Sequence, residues 1–184
     1  MENKDWTQDE TFLARWMADD VTPEEKATFE ASEDGQYFAY VDNGREETGR
    51  EVISWAKEVE KRGAGEIIIT SVDREGTGEG YDMELTKKLA SAVSIPVVAS
   101  GGAGCKEDVA SVLAEGDADA VAVASVIHYD LVAREPQRVM SHTSDEGNTE
   151  FMLSRRGFSK INPATIKSIK QTVRQNGIPI RFDE

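Results

Sequence analysis

The sequence predicts an α/β fold built on parallel strands, and three observations carry that prediction. Strand-like apolar runs begin near residues 66, 95 and 119, roughly one βα unit apart, the first of them continuously β-branched. A segment of helical periodicity comes after each run. Glycines or small residues occupy the turns where each strand hands over to its helix. Strands alternating with helices pair in parallel through right-handed crossovers.

Residues 1–35 read as a small, acidic helical segment. Thr7-Gln8-Asp9-Glu10 fits a capping box ahead of Phe12, Leu13, Trp16 and Met17, which share one helical face. Thr22-Pro23-Glu24-Glu25 is a second helix start. Tyr37 to Val41 is a short β-like run, and Asn43-Gly44 marks a turn. Gly49 to Arg62 reads as an amphipathic helix with Val52, Ile53, Ala56 and Val59 inward and Gly63 past its end.

Glu66 to Ser71 reads as a strand buried on both faces, and Ile95 to Ser100 as a second. A third spans Ala118 to Ala124. Helices are expected over Tyr81–Val93, Lys106–Glu115 and from Val126. Glu135 to Ile161 breaks the rhythm as an irregular, polar insertion. Asn162-Pro163 then caps a helix that runs to about Asn176, with Gly177 at its end and an extended tail beyond.

The chain has 184 residues, 39% apolar and 30% charged, in the range of a globular protein. No window of 18 apolar residues offers a membrane span, and the start is polar and acidic, so a cytoplasmic address is expected. Acidic residues number 35 against 21 basic ones, a formal charge of −14 that disfavours nucleic acid. A small anion remains possible where backbone N–H groups converge. With one cysteine, neither an internal disulfide nor a cysteine metal site can form, and no metal or cofactor is implied.

Active sites of parallel barrels lie on the loops after the strands, and phosphate sites often form after the last two. The candidate loops are Asp73–Gly80, Ser100–Gly104 and Ala124–Val126. Glycines in Gly101-Gly102-Ala103-Gly104 admit close backbone approach, and the next helix directs N–H groups outward. A tight turn needing glycine only for geometry is the plainer alternative; the paired Ser125 loop favours the anion site. Asp73 and Glu75 could bind hydroxyls or relay protons, or simply be a solvated acidic loop. Cys105 opens a helix, where the dipole lowers a thiol pKa, but no histidine is near in sequence. His128 reads as a packed histidine, His142 as exposed, and Arg155-Arg156 as a solvated pair.

The succession Glu58–Ile67, Thr70–Thr77, Gly80-Tyr81-Asp82, Ala99–Gly104, Gly116 with Ala118-Asp119-Ala120, and Ala124–Tyr129 resembles the cyclase subunit of imidazole glycerol phosphate synthase. The resemblance covers about half the chain and implies the C-terminal half of a (β/α)₈ barrel over 36–184, insertion included. It implies a histidine-pathway lyase that uses ammonia from a glutaminase partner. The products from the phosphoribulosyl-formimino ribonucleotide are imidazole glycerol phosphate and an aminoimidazole carboxamide ribonucleotide. It places one phosphate site on Gly76, Gly101, Gly102, Ala124 and Ser125, with Thr70, Asp73 and Glu75 facing substrate. Glu75 stands where the family usually has Asp. The family's acid and base are aspartates on the first and fifth strands. The first four βα units have no counterpart here, and the fifth-strand position falls near Phe29, in a stretch that reads as helical. Little activity is therefore expected of the chain alone. A half barrel exposes its interior and edges, so a homo-oligomer or a complementing half barrel is expected. Residues 10–33 faintly resemble FecR-type anti-sigma regulators, which keeps open a non-catalytic phosphate-binding or regulatory module.

Overall fold

In a computed structural model, residues 28–31, 36–42, 44–134 and 160–182 are described. Two small sheets organise them. Strands β1 (Thr28–Ala31), β2 (Tyr37–Val41) and β3 (Glu46–Glu51) form an antiparallel sheet in that order. Strands β4 (Ile67–Thr70), β5 (Val97–Ser100) and β6 (Ala120–Val121) form a parallel one. The helices are α1 (Val52–Lys61), α2 (Met83–Ala90), α3 (Lys106–Ala114), α4 (Ser125–Arg134) and α5 (Ile166–Gln175).

The β4-α2-β5-α3-β6-α4 alternation and its parallel pairing are those of a partial (β/α)₈ barrel. Ile67 pairs with Val97 and Thr70 with Ser100, so β4 and β5 end level. Ala99 pairs with Val121, which brings the end of β6 to the same rim.

Capping explains where the helices start. The Glu51 carboxylate accepts the N–H groups of Ile53 and Ser54 at 2.9 and 2.8 Å. Accordingly α1 begins at Val52, and Gly49 to Glu51 belong to β3 rather than to the helix. Asp82 caps α2 by accepting Leu85 N–H at 2.9 Å. Thr165, not Asn162-Pro163, caps α5, its hydroxyl accepting Ser168 N–H at 2.9 Å. Gly63 and Gly177 end α1 and α5 with φ of +100° and +78°, which costs glycine no Cβ clash.

The helical reading of residues 1–35 fails at Thr28–Ala31, which is a strand paired with Tyr37–Tyr40. Thr28 and Phe29 are strand-favouring types, and partners across the hairpin hold this short mixed run extended. β1 lies beside β4 without bonding to it. The two expected helix starts, the 135–159 stretch, His142 and Arg155-Arg156 lie outside the described residues.

Two apolar clusters pack the fold. One joins Tyr37, Ala39, Val52, Ala56, Ile69, Leu85, Leu89 and Val97, locking the hairpin and α1–α2 onto β4–β5. The other joins Ala99, Val109, Val112, Val126, Ile169 and Val173, locking α3, α4 and α5 onto β5–β6. Both use one face of the parallel sheet. The opposite face is open: Ile68 is 58% exposed, and its neighbour Val98 is only half-buried. The reading of β4 as buried on both faces is therefore corrected; three parallel strands cannot close around their own interior. β6 is also shorter than expected, two residues rather than seven. Among the described residues, no helix is long and apolar enough to cross a membrane.

Leu89 is fully buried where α2 meets the sheet. Leu89→Ala should lower unfolding free energy by about 2–5 kcal/mol, whereas Leu131→Ala, at a half-exposed position, should change it by less than about 0.5 kcal/mol. Urea denaturation of both variants checks the contrast.

Candidate functional site

The C-terminal ends of β4, β5 and β6 carry the loops that meet at one rim. The loop after β4 is a self-bonded turn. Arg74 and Glu75 donate their N–H groups to Ser71 O at 3.3 and 2.9 Å, and Thr77 donates to Arg74 O at 3.0 Å. The buried Ser71 hydroxyl donates to Asp82 at 3.2 Å, tying the loop's start to the cap of α2. Gly80 N–H donates to Gly102 O at 2.8 Å, stitching this loop to the one after β5.

That stitch leaves no space for side chains. A Cβ on Gly102 would overlap the Gly80 carbonyl, whose carbon would stand 2.9 Å away. A Cβ on Gly104 would overlap the Gly78 carbonyl, with the carbon at 2.8 Å. Gly102 also has φ +98°, a conformation costly for any other residue. The Asp108 carboxylate then gathers the N–H groups of Gly104 and Cys105 at 2.8 and 2.9 Å and sets the entry of α3.

Tyr81 joins the third loop to the first. Its hydroxyl donates to Ala122 O at 3.0 Å, and burial pushes its pKa well above the ordinary phenol value. It is thus a neutral donor that holds the β6–α4 turn against the β4 loop. Ile127 and His128 close the first turn of α4 on Ala124 O at 3.1 and 2.9 Å. Among the described residues, the N–H groups of Gly102, Ala103 and Ser125 have no protein acceptor.

These loops enclose a cavity of about 200 Å³ lined by Glu75, Gly76, Gly78, Ser100 to Ala103, Ala122 to Ser125 and Ile161. Six expected site residues meet there: Glu75, Gly76, Gly101, Gly102, Ala124 and Ser125. Thr70 and Asp73 do not line it. The Thr70 methyl packs beneath Gly101, 3.3 Å from where a Cβ would sit. Asp73 is exposed and turns its field toward Tyr37, whose pKa is pushed up to about 12 by burial first and then by Asp82, Glu84 and Asp73.

Gly78 and Ile161 were not foreseen as lining. Gly78 sits in a loop singled out from the sequence, and its role comes from its nearness to Gly104. Ile161 arrives from beyond the irregular stretch, and no local pattern marks it. Expectations for two other side chains change. Burial raises the Cys105 thiol pKa, outweighing the helix N-terminus. His128 is exposed and rests edge-on against Tyr129, rather than packing in the core.

The family model for the histidine biosynthesis protein matches residues 15–133. The chain is similar to the imidazole glycerol phosphate synthase subunit HisF of Alkaliphilus metalliredigens, 50% identical over 112 residues, 61% of this chain and 44% of that protein. Similarity to the HisF subunit of a Nostoc species is 59% over 90 residues, covering 49% of this chain and 35% of the relative. For the Methanopyrus kandleri subunit it is 47% over 119 residues, covering 64% and 43%. The chain thus spans less than half the length of these curated relatives. The anti-sigma likeness of residues 10–33 finds no support, since the family match already runs from residue 15.

Gly104→Ala should destabilise the chain more than Gly76→Ala, since the added methyl at 104 meets backbone while that at 76 meets nothing within 4 Å. Gly76 has φ +74°, so its cost should be about 1 kcal/mol. Denaturation midpoints of the two variants measure the difference.

Proposed function

The chain belongs to the histidine biosynthesis protein family, and on that premise we propose that it is the phosphate-holding half of an imidazole glycerol phosphate synthase cyclase. The observation that carries this reading is the convergence of Gly76, Gly102 and Ser125 on one cavity at the ends of three parallel strands. Unpaired N–H groups and the positive end of α4 offer an anion fixed dipoles that need no reorganisation. Ser125 adds a hydroxyl. Glu75 at the rim accepts hydroxyls of the sugar attached to that phosphate, while Thr70 supports Gly101 from beneath and Asp73 stands outside the lining.

The substrate of this reading is the phosphoribulosyl-formimino ribonucleotide, with ammonia delivered by a glutaminase partner. The relatives are named as a subunit, which accords with a partnered enzyme. The chemical step needs an acid and a base. The fifth-strand position of the family's aspartate falls near Phe29 on β1, where this sequence has no aspartate. On this reading the first-strand aspartate comes from a complementing half barrel. The open sheet face around Ile68 and the apolar groove beside β6, lined by Val123, Ile127, Ile166 and Ile180, are where that half barrel would seat. Residues 36–184 and β1 then form one half-barrel body, with 135–161 an insertion in it and the preceding residues a separate segment.

Calorimetry with inorganic phosphate tests the cavity. Ser125→Asp suits a helix N-terminus and so keeps the fold, but it places a carboxylate in the site. Affinity should fall by at least about tenfold; equal binding by both proteins rejects the assignment. A turnover assay tests the chemistry. The chain alone should not turn over. Mixed with a half barrel carrying the first four βα units and with ammonia, Phe29→Asp should exceed the natural sequence by about 10²–10⁴-fold. No gain in a folded mixture that still binds phosphate would reject the cyclase reading.

A further inference from the structure

The cavity is short of positive charge. Among the described residues its lining contains one ionisable side chain, Glu75, and the whole chain carries a formal charge of −14. Backbone dipoles must therefore hold a phosphate against both a local carboxylate and an unfavourable overall field. A cation within reach would change that balance, and the chain returning to the barrel after residue 159 brings one.

Lys160, Ile161 and Asn162 cross between the first two glycine loops. Lys160 O and Cβ lie 3.1 and 3.2 Å from where a Gly78 Cβ would be, and Ile161 Cδ1 lies 2.9 Å from it. Asn162 N–H donates to Gly104 O at 2.7 Å. The backbone of Lys160 is thus pinned between Gly78 and Gly104, with its next residue already in the cavity wall. Its ammonium pairs with Glu79.

We propose that Lys160 is the cationic arm of the anion cavity, held on Glu79 and transferred to a bound phosphate group. The proposal rests on the phosphate-site reading above. Three features suit Lys160 to this task. The Lys160–Glu79 pair is about half exposed on each side, so it is weakly held and exchangeable. Arg74 stands 4.0 Å from the other oxygen of Glu79, so that carboxylate keeps a cationic neighbour when Lys160 leaves. A lysine is a compact charge on a flexible stem and can swing from one anion to another without moving its backbone. Lys160 lies outside residues 15–133, so the family match assigns it nothing.

Phosphate calorimetry at constant ionic strength on the full chain, with circular dichroism as a check on folding, tests the arm. Lys160→Gln should weaken binding about tenfold, the loss of one charge-assisted hydrogen bond. Glu79→Gln should tighten it several-fold by releasing the ammonium, and the double variant should lose that gain. Unchanged affinity in Lys160→Gln overturns the proposal. The two readings fail differently. If the natural sequence binds no phosphate, the cavity assignment falls and the lysine with it. If it binds and Ser125→Asp does not, while Lys160→Gln binds as before, the cavity stands and only the lysine arm falls.

Discussion

The close approach of the β4 and β5 loops is the constraint on which the site depends. Gly80 donates to Gly102 O, and Gly78 and Gly80 present their carbonyls where Gly104 and Gly102 would otherwise carry side chains. Backbone in such contact cannot accept even a methyl group without displacement. Around this seam the other ties are placed: Asp108 on the entry of α3, Tyr81 on the β6–α4 turn, and Asn162 on Gly104. Each turns a loop that could point anywhere into one wall of a single cavity.

Packing supplies the rigidity behind that seam. Both apolar clusters lie on the helix-covered face of the parallel sheet, so the strand ends are held from behind while the opposite face stays open. An apolar open face is unusual in a monomer and ordinarily marks a surface that another chain covers. The same geometry that gathers three strand ends at one rim thus leaves an apolar sheet face uncovered among the described residues. Charge shows a similar division. The formal charge of −14 is an unfavourable field for anions in general, against which the proposed site would set converging N–H groups locally.

Much of this was legible in the residues. Runs such as Ile67-Ile68-Ile69 and Val97-Val98-Ala99, each leading into helical periodicity, determined a parallel α/β body. Gly76, Gly101, Gly102 and Ser125 were visible because glycine and small residues recur at successive strand-to-helix turns, where they admit close backbone approach, although a tight turn alone also calls for glycine. Local signals failed where a distant partner decided the outcome. Thr28–Ala31 mixes strand formers (Thr, Phe) with Glu and Ala, too short a run to signal a strand alone, and is extended because Tyr37–Tyr40 pairs with it. Gly49 to Glu51 is strand rather than helix because β2 pairs with this stretch and the Glu51 carboxylate caps α1.

By itself the sequence determined the order of elements, the glycines at the rim and the lack of an aspartate near position 29, since each is a matter of residue type and spacing. Tertiary structure decided which of those residues share a cavity. It left Thr70 and Asp73 outside the lining, brought Gly78 and Ile161 into it, and exposed Ile68 and His128. The reason is physical: periodicity reports which way a side chain faces along its own element, whereas a cavity is set by how far apart separate backbones can stand.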